Sequence, residues 1–70
     1  MSKFPERLKY LREEAGLSIR QLADKFNGKI SSSSISSWEL GQQIPRFDAT
    51  IMIAQFFNVT LDYLAGLEDD

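Results

Sequence analysis

LSIRQLADKFNGKISSSSISSWELG, residues 17–41, contains six serines among eight consecutive positions. A serine-rich tract is typical of a flexible linker, yet this one carries Ile35 and Trp38 three residues apart, which is a helical spacing. Serine is also among the residues preferred at helix N-caps. We therefore interpret the tract as a helix over about 32–40, with Ser31 as its N-cap and with Ser32, Ser33, Ser36 and Ser37 on its exposed side.

A second predicted helix, over about 19–26, precedes the serine tract. Ser18 followed three residues later by Gln21 forms a capping box at its start. The pair Asn27 and Gly28 ends it, because both residue types tolerate a positive φ. Two short helices joined by a tight turn make this stretch a helix-turn-helix candidate.

The remaining helices are predicted from apolar spacing and from residues typical of helix ends. In the first helix, Phe4, Leu8, Leu11 and Ala15 recur at helical spacing and form an apolar stripe. Thr60 can cap the last helix. No stretch shows the sustained alternation of apolar and polar residues that is typical of a strand. In chain order, helices 1 to 5 are predicted over about 5–15, 19–26, 32–40, 48–57 and 61–65.

These helices predict an all-α fold: a compact five-helix bundle with a helix-turn-helix formed by helices 2 and 3. A chain of 70 residues suits one domain. We expect that domain over 1–70, with a core over about 5–67 and a short acidic tail at 68–70.

Composition argues against several classes of site. The chain has no cysteine and no histidine, so the usual metal ligands and the usual general base are missing. Carboxylates alone could catalyse a reaction, but no cluster of them is evident. We therefore expect no enzymatic activity, no metal, no cofactor and no small-molecule ligand.

Targeting segments are not recognisable in the sequence. The first ten residues, MSKFPERLKY, lack the apolar region of a secretory signal. No run approaches the roughly 18 apolar residues that a membrane span needs. We expect a soluble, cytoplasmic protein with no membrane partner.

Charge is distributed unevenly along the chain. Residues 1–46 hold all eight Lys and Arg and five acids, a formal charge of +3, whereas residues 47–70 hold five acids and no base, a charge of −5. A polarised molecule can present a basic face to DNA while its total charge, here −2, is acidic. The distribution fits equally an ordinary solvated surface with an acidic end.

Three segments carry a resemblance to a known family: RLKYLREEAGLSIRQLADKF, ISSSSISSWELGQQIPRF and IAQFFNVTLDYLAG. Together they resemble the lambda-repressor-like, Cro/C1-type (XRE-family) helix-turn-helix domain, over about residues 5–67. The resemblance rests on several sequence features that occur in the family's order. They are Arg12 before GLS, LA in helix 2, ISSWELG, the proline after it, and VTLDYLAG. It implies a sequence-specific DNA-binding transcriptional regulator, a phage- or plasmid-type repressor that binds a two-fold operator with helix 3 in the major groove.

The resemblance also implies residue roles, with double-stranded DNA as the partner. Arg12 and Glu39 match an ion pair that bridges helices 1 and 3. Ser32, Ser33 and Ser37 match the positions that face base edges. Contacts with DNA phosphates or the minor groove are expected from Ser18, Lys29, Ser31, Gln42, Gln43 and Arg46.

Two departures from the family pattern bear on recognition. The turn NGK, residues 27–29, is two residues longer than usual, and Ile19 replaces a polar residue at the start of helix 2. The reading positions are serines, which discriminate poorly between bases because a hydroxyl both donates and accepts. Sharp specificity would then need Lys29, the two glutamines, water or DNA shape.

Helix 4 holds more apolar residues than one face can bury. It is either a deeply buried central helix or part of a contact in a weak homodimer. The residues expected at such a dimer or partner surface are Met52, Ile53, Phe56, Tyr63 and Leu67. A protein-interaction module on the same fold, of antirepressor or antitoxin type with weak or no DNA binding, stays open as the alternative function.

Overall fold

Five helices, none longer than eleven residues, follow one another along residues 3–68, the part of the chain that a computed structural model describes. They are α1 Phe4–Glu14, α2 Ile19–Asp24, α3 Ser32–Glu39, α4 Phe47–Phe57 and α5 Leu61–Ala65. This described part contains no strand, and the predicted all-α fold is confirmed. Residues 69 and 70 of the predicted acidic tail, and 1 and 2 of the predicted domain, lie outside the described residues.

Side-chain caps begin three of these helices at the predicted residues. Ser18 Oγ accepts a hydrogen bond from Gln21 N at 3.0 Å, and Gln21 Oε1 accepts one from Ser18 N at 2.8 Å, which completes the predicted capping box of α2. Ser31 caps α3 and Thr60 caps α5, each by accepting from the N–H three residues further on. The local chemistry of these residues therefore sets where α2, α3 and α5 start.

The predicted bounds agree with the structure to one residue, except at the end of α2. That helix stops at Asp24, two residues early, and residues 25–28 form turns. The reason is the backbone of Asn27 and Gly28, which have φ values of 54° and 83°, in the left-handed region. Phe26 lies outside the helix but is still buried, as is Leu22 within it.

The core is formed by side chains of all five helices and of the segment between α2 and α3. Ile35 and Trp38 of α3 are buried, as their spacing predicts, and Trp38 meets Phe4 of α1 edge to face, with ring centroids 6.4 Å apart. α1 packs against α3 and α5, α2 against α3, and α4 against α5. The buried apolar residues are Phe4, Leu8, Leu22, Phe26, Ile30, Ile35, Trp38, Ile53, Ala54 and Leu64.

Two predictions about buried faces are wrong. Ala15 was expected in the apolar stripe of α1, but it is the exposed C-cap residue, because the helix ends one residue earlier. Ile53 was expected at a dimer or partner surface, but it is fully buried, because α4 turns this residue into the core beside Ala54.

Among the described residues, no helix has both the length and the apolar character needed to cross a bilayer.

Candidate nucleic-acid interface

The first turn of α3 presents hydroxyl groups to solvent. Ser32 and Ser33 are exposed, as expected for base-facing residues. Ser36 and Ser37, which the sequence placed on the same exposed side, are half-buried, because α3 packs against both α1 and α2. The accessible hydroxyls are therefore concentrated at the N-terminal end of the helix.

Ser31 holds a small network of hydroxyls together at this end. Its Oγ accepts from Ser34 N at 3.1 Å and donates to Ser34 Oγ at 3.0 Å, and it lies 3.3 Å from Ser33 Oγ. The side chain thus has a structural task as the N-cap of α3. Any contact that Ser31 makes with a phosphate would be additional to that task.

A groove of about 420 Å³ runs between the start of α3 and the start of α4. Lys29, which precedes α3, and Arg46, the N-cap residue of α4, both line it, so the fold brings together two cations that are far apart in sequence. Ser34, a member of the hydroxyl network at the start of α3, lines the same groove. Two of the predicted phosphate-binding residues therefore share one concave surface beside α3.

Arg12 and Glu39 fix the orientation of α3 relative to α1. Arg12 Nε donates to Glu39 Oε2 at 2.7 Å, and Arg12 Nη2 donates to Glu39 Oε1 at 2.9 Å, so the predicted pair is present and bidentate. Arg12 Nη1 also donates to the carbonyl oxygen of Leu17, at 2.9 Å, just before α2. The hydrogen bonds with Glu39, and secondarily its charge, raise the pKa of Arg12 against the opposing effect of burial.

The other predicted DNA contacts lie on separate segments. Ser18 is exposed at the start of α2, where its hydroxyl is part of the capping box. Gln42 and Gln43 are exposed in the loop between α3 and α4. Ile19, where the family pattern has a polar residue, is half-buried and packs against the core. The burial of Ile19 gives it a structural role, and Ser18 is the predicted contact that stays exposed at this helix start.

The predicted dimer or partner surface is divided by the fold. Ile53 is in the core, and Met52 is half-buried and lines the groove at the start of α3. Phe56 is 40% exposed and packs on Phe26, with ring centroids 5.4 Å apart. Leu67 is 80% exposed, so it is the most accessible member of the set.

Tyr63, the fifth member of that set, already has an intramolecular partner. The guanidinium carbon of Arg7 lies 4.3 Å from the centroid of the Tyr63 ring. Arg7 Nη1 also donates to the carbonyl oxygens of Tyr63 and Glu68, at 2.5 and 2.6 Å. These contacts hold α5 and the residues after it against α1, and they leave Tyr63 half-buried.

Three exposed apolar residues near the serine face were not predicted as functional. Leu40, Ile44 and Phe47 are between 68% and 73% exposed, and they lie from the C-cap of α3 to the first residue of α4. A signal was available in the sequence, because isoleucine in the loop QQIP has no helical neighbours with which to share a buried face. Exposed apolar residues at such a position suit a contact with another molecule.

Comparisons with known proteins agree with this geometry. A helix-turn-helix family model matches residues 8–64. The uncharacterised HTH-type transcriptional regulator YobD of Bacillus subtilis (strain 168) is 35% identical over 65 residues, 93% of this chain and 56% of that protein. The HTH-type transcriptional activator BcrR of Enterococcus faecalis is 36% identical over 67 residues, 96% of this chain and 32% of that protein. The HTH-type transcriptional regulator ImmR of Bacillus subtilis (strain 168) is 31% identical over 64 residues, which are 91% of this chain and 49% of that protein.

The chain spans about half, or less, of the length of these curated relatives. No solved structure matches it with comparable significance. The matched segment in each relative covers the five helices described above almost completely, so the likeness concerns the helix-turn-helix domain.

Proposed function

The chain belongs to the Cro/C1-type helix-turn-helix family and is a DNA-binding regulator domain rather than an enzyme; from this premise we propose that it is a sequence-specific repressor that binds a two-fold operator. The observation that carries the proposal is the placement of exposed serine hydroxyls beside two cations. Ser32 and Ser33 face solvent at the start of α3, and Lys29 and Arg46 line the groove next to them. A polar surface flanked by positive charge is what a DNA major groove and its phosphates require.

In this proposal α3 lies in the major groove, which is about 12 Å wide and admits a helix. Ser32 and Ser33 contact base edges, and Ser37 does so less directly because it is half-buried. Short side chains bring the helix backbone close to the bases. Since a serine hydroxyl both donates and accepts, part of the specificity would come from Gln42, Gln43 and the shape of the DNA.

Phosphate contacts would set the register of the protein on the duplex. Lys29 and Arg46 supply charge on the groove side of α3, and Ser31 and Ser18 supply hydroxyls at the starts of α3 and α2. Each neutralised phosphate releases counterions, so binding would weaken as salt rises. The Arg12–Glu39 pair would act indirectly, by holding α3 at a fixed angle to α1.

A weak homodimer fits binding to a two-fold operator, in which half-sites lie about one helical turn apart. We propose the contact around Phe56 and Leu67, the exposed members of the predicted surface. Repression would follow from occupying a promoter. We also propose a phage or plasmid origin, action in the cytoplasm and a single domain over 1–70.

The alternative function is a protein-interaction module on the same fold. The observation that favours it is the exposed apolar set Leu40, Ile44 and Phe47, which could bind a protein as well as flank DNA. An antirepressor or antitoxin-like partner would bind through these residues without requiring DNA. Substitution of Ile44 by serine would then abolish partner binding and leave any DNA binding intact.

Selection of bound sequences from a random double-stranded DNA library, at two salt concentrations, tests the proposal. A two-fold motif with half-sites about one turn apart supports a dimeric operator-binding regulator. Salt-sensitive binding without a motif would reject sequence-specific reading by the serines. Absence of binding at both concentrations would reject the proposal and favour the protein-interaction module.

A further inference from the structure

The groove between α3 and α4 has a composition that phosphate binding alone does not explain. Its lining combines the cations Lys29 and Arg46 with the apolar side chains of Ile30, Trp38 and Met52, which are called its apolar floor below. A phosphate group needs charge and hydrogen-bond donors and gains nothing from an apolar floor. A floor of this kind instead suits a ligand with a hydrocarbon or aromatic part.

The size of the groove is suitable for a small organic molecule. Its volume of about 420 Å³ lies within the range of roughly 300 to 1,000 Å³ found for ligand pockets. Ile30 and Trp38 are nearly buried and Met52 is half-buried, so the floor belongs to the packed core and is already formed. A ligand there would cover the remaining exposed edges of these side chains.

The charge of the groove favours an anion. Lys29 and Arg46 contribute two positive charges and Asp48 one negative charge, which leaves a formal charge of +1 on the lining. The Asp48 carboxylate also accepts from Ala49 N at 2.9 Å, so it is partly engaged with the start of α4. Ser34, which also lines the groove, adds a hydroxyl that can bond to a carboxylate.

We propose that this groove binds small amphipathic carboxylates, with the carboxylate between Lys29 and Arg46 and the apolar part on Trp38, Ile30 and Met52. The regulatory consequence rests on the proposed function. Because the same two cations are proposed to hold DNA phosphates, a ligand in the groove competes with DNA. The domain then carries its own effector site, and the ligand acts as an inducer that releases the operator.

The chain contains its own reporter for this binding. Trp38 is the only tryptophan, and it lines the groove. Octanoate, below its micelle-forming concentration, serves as the probe, and tryptophan fluorescence should change saturably as it binds. Octylammonium, with the same tail and the opposite charge, and inorganic phosphate, without the tail, should both bind much more weakly.

Matched variants locate the site. Lys29→Gln or Arg46→Gln should weaken octanoate binding by about fivefold, as expected for loss of one exposed charge contact. Asp48→Asn should strengthen it, whereas Asp62→Asn, in the first turn of α5, should have no effect. Lys9→Gln, an exposed lysine on α1 outside the groove lining, is the matched control for Lys29→Gln.

A second titration, with operator DNA selected as above, separates this inference from the proposed function. Octanoate should lower the apparent DNA affinity of the wild-type chain, and octylammonium should not. Equal binding of the two surfactants, or octanoate binding that ignores Lys29→Gln and Arg46→Gln, would overturn the site. Groove binding that leaves DNA affinity unchanged would overturn the inducer role. If no DNA binds, the proposed function fails, and the fluorescence titration still decides whether the carboxylate site exists.

Discussion

Arg12 and Glu39 join α1 to α3 through two hydrogen bonds, at 2.7 and 2.9 Å, with side chains only 11% and 7% exposed. A carboxylate this far removed from water depends on its partner, because an unpaired buried charge is strongly disfavoured. The third bond of Arg12, to the carbonyl oxygen of Leu17, extends the link to the turn before α2. One side chain thus connects three segments that frame the helix-turn-helix.

Removal of one partner should destabilise the domain more than removal of both. Arg12→Met should lower the free energy of unfolding by about 3 kcal/mol, since Glu39 is left buried without its counter-charge. Arg12→Met combined with Glu39→Leu should cost less than either single change. Denaturant unfolding of the wild type, the Arg12→Met and Glu39→Leu single variants and the double variant measures the coupling between the two residues. If the unfolding free energies lost in the two single variants simply add in the double variant, the pair contributes no specific interaction.

The raised pKa of Arg12 predicts how this contribution depends on pH. A raised pKa means that the stabilisation is fully present below the pKa of Arg12 in the unfolded chain and is lost only as pH rises through the higher folded-state pKa. The free energy of unfolding should therefore show no step assignable to Arg12 between neutral and mildly alkaline pH. A step in the unfolding free energy of the wild type over that range, absent from Arg12→Met, would contradict the expectation.

Arg46→Gln should weaken DNA binding similarly for all sequences. Loss of one phosphate contact should reduce the slope of log K against log salt by about 0.9. Lys9→Gln provides the control, because Lys9 is exposed on α1 and does not line the groove. An unchanged slope for Arg46→Gln, measured by fluorescence anisotropy over a salt series, would remove Arg46 from the phosphate contacts.

Ser33→Ala should alter sequence preference with little effect on salt dependence, because the lost group faces bases rather than phosphates in the proposed complex. Ser36→Ala, a half-buried position on the same helix, is the matched comparison and should change preference less. Library selection with each variant checks this. An identical motif for the wild type and Ser33→Ala would mean that this hydroxyl does not read the operator.

Ser31→Ala should reduce stability as well as DNA affinity. The Ser31 hydroxyl caps α3, and loss of such a cap costs about 1 kcal/mol of unfolding free energy. Ser32→Ala removes a neighbouring exposed hydroxyl that is not the cap and should leave thermal stability unchanged. Equal melting temperatures for the two variants would contradict the structural role of Ser31.

Leu67→Ser should weaken the proposed dimer, since Leu67 is the most exposed apolar residue of the predicted surface. Ile44→Ser is the comparison, because Ile44 is also exposed and apolar but is not a member of the predicted surface. Sedimentation with and without operator DNA gives the association state. A monomer under both conditions at high concentration would reject the dimer, and a larger effect of Ile44→Ser would move the contact to the loop before α4.

Interactions within a few residues determined most of the secondary structure from the sequence alone. Ser18 with Gln21, and Ser31 at the start of the serine tract, set helix starts because a cap needs only an N–H two or three positions away. The spacing of Ile35 and Trp38 determined which side of α3 is buried. Local composition therefore decided that the serine tract is a helix and not a linker.

Only the tertiary structure decided which apolar residues are buried and which charged residues share one surface. Ile53 and Phe56 are both apolar residues of α4, yet one is in the core and the other is 40% exposed, because burial depends on which face meets α5 and the residues around it. The convergence of Lys29 and Arg46 on one groove with an apolar floor likewise follows from how α3 and α4 are arranged. Packing between distant segments has no counterpart in local spacing, and for this reason the groove could not be predicted from the sequence.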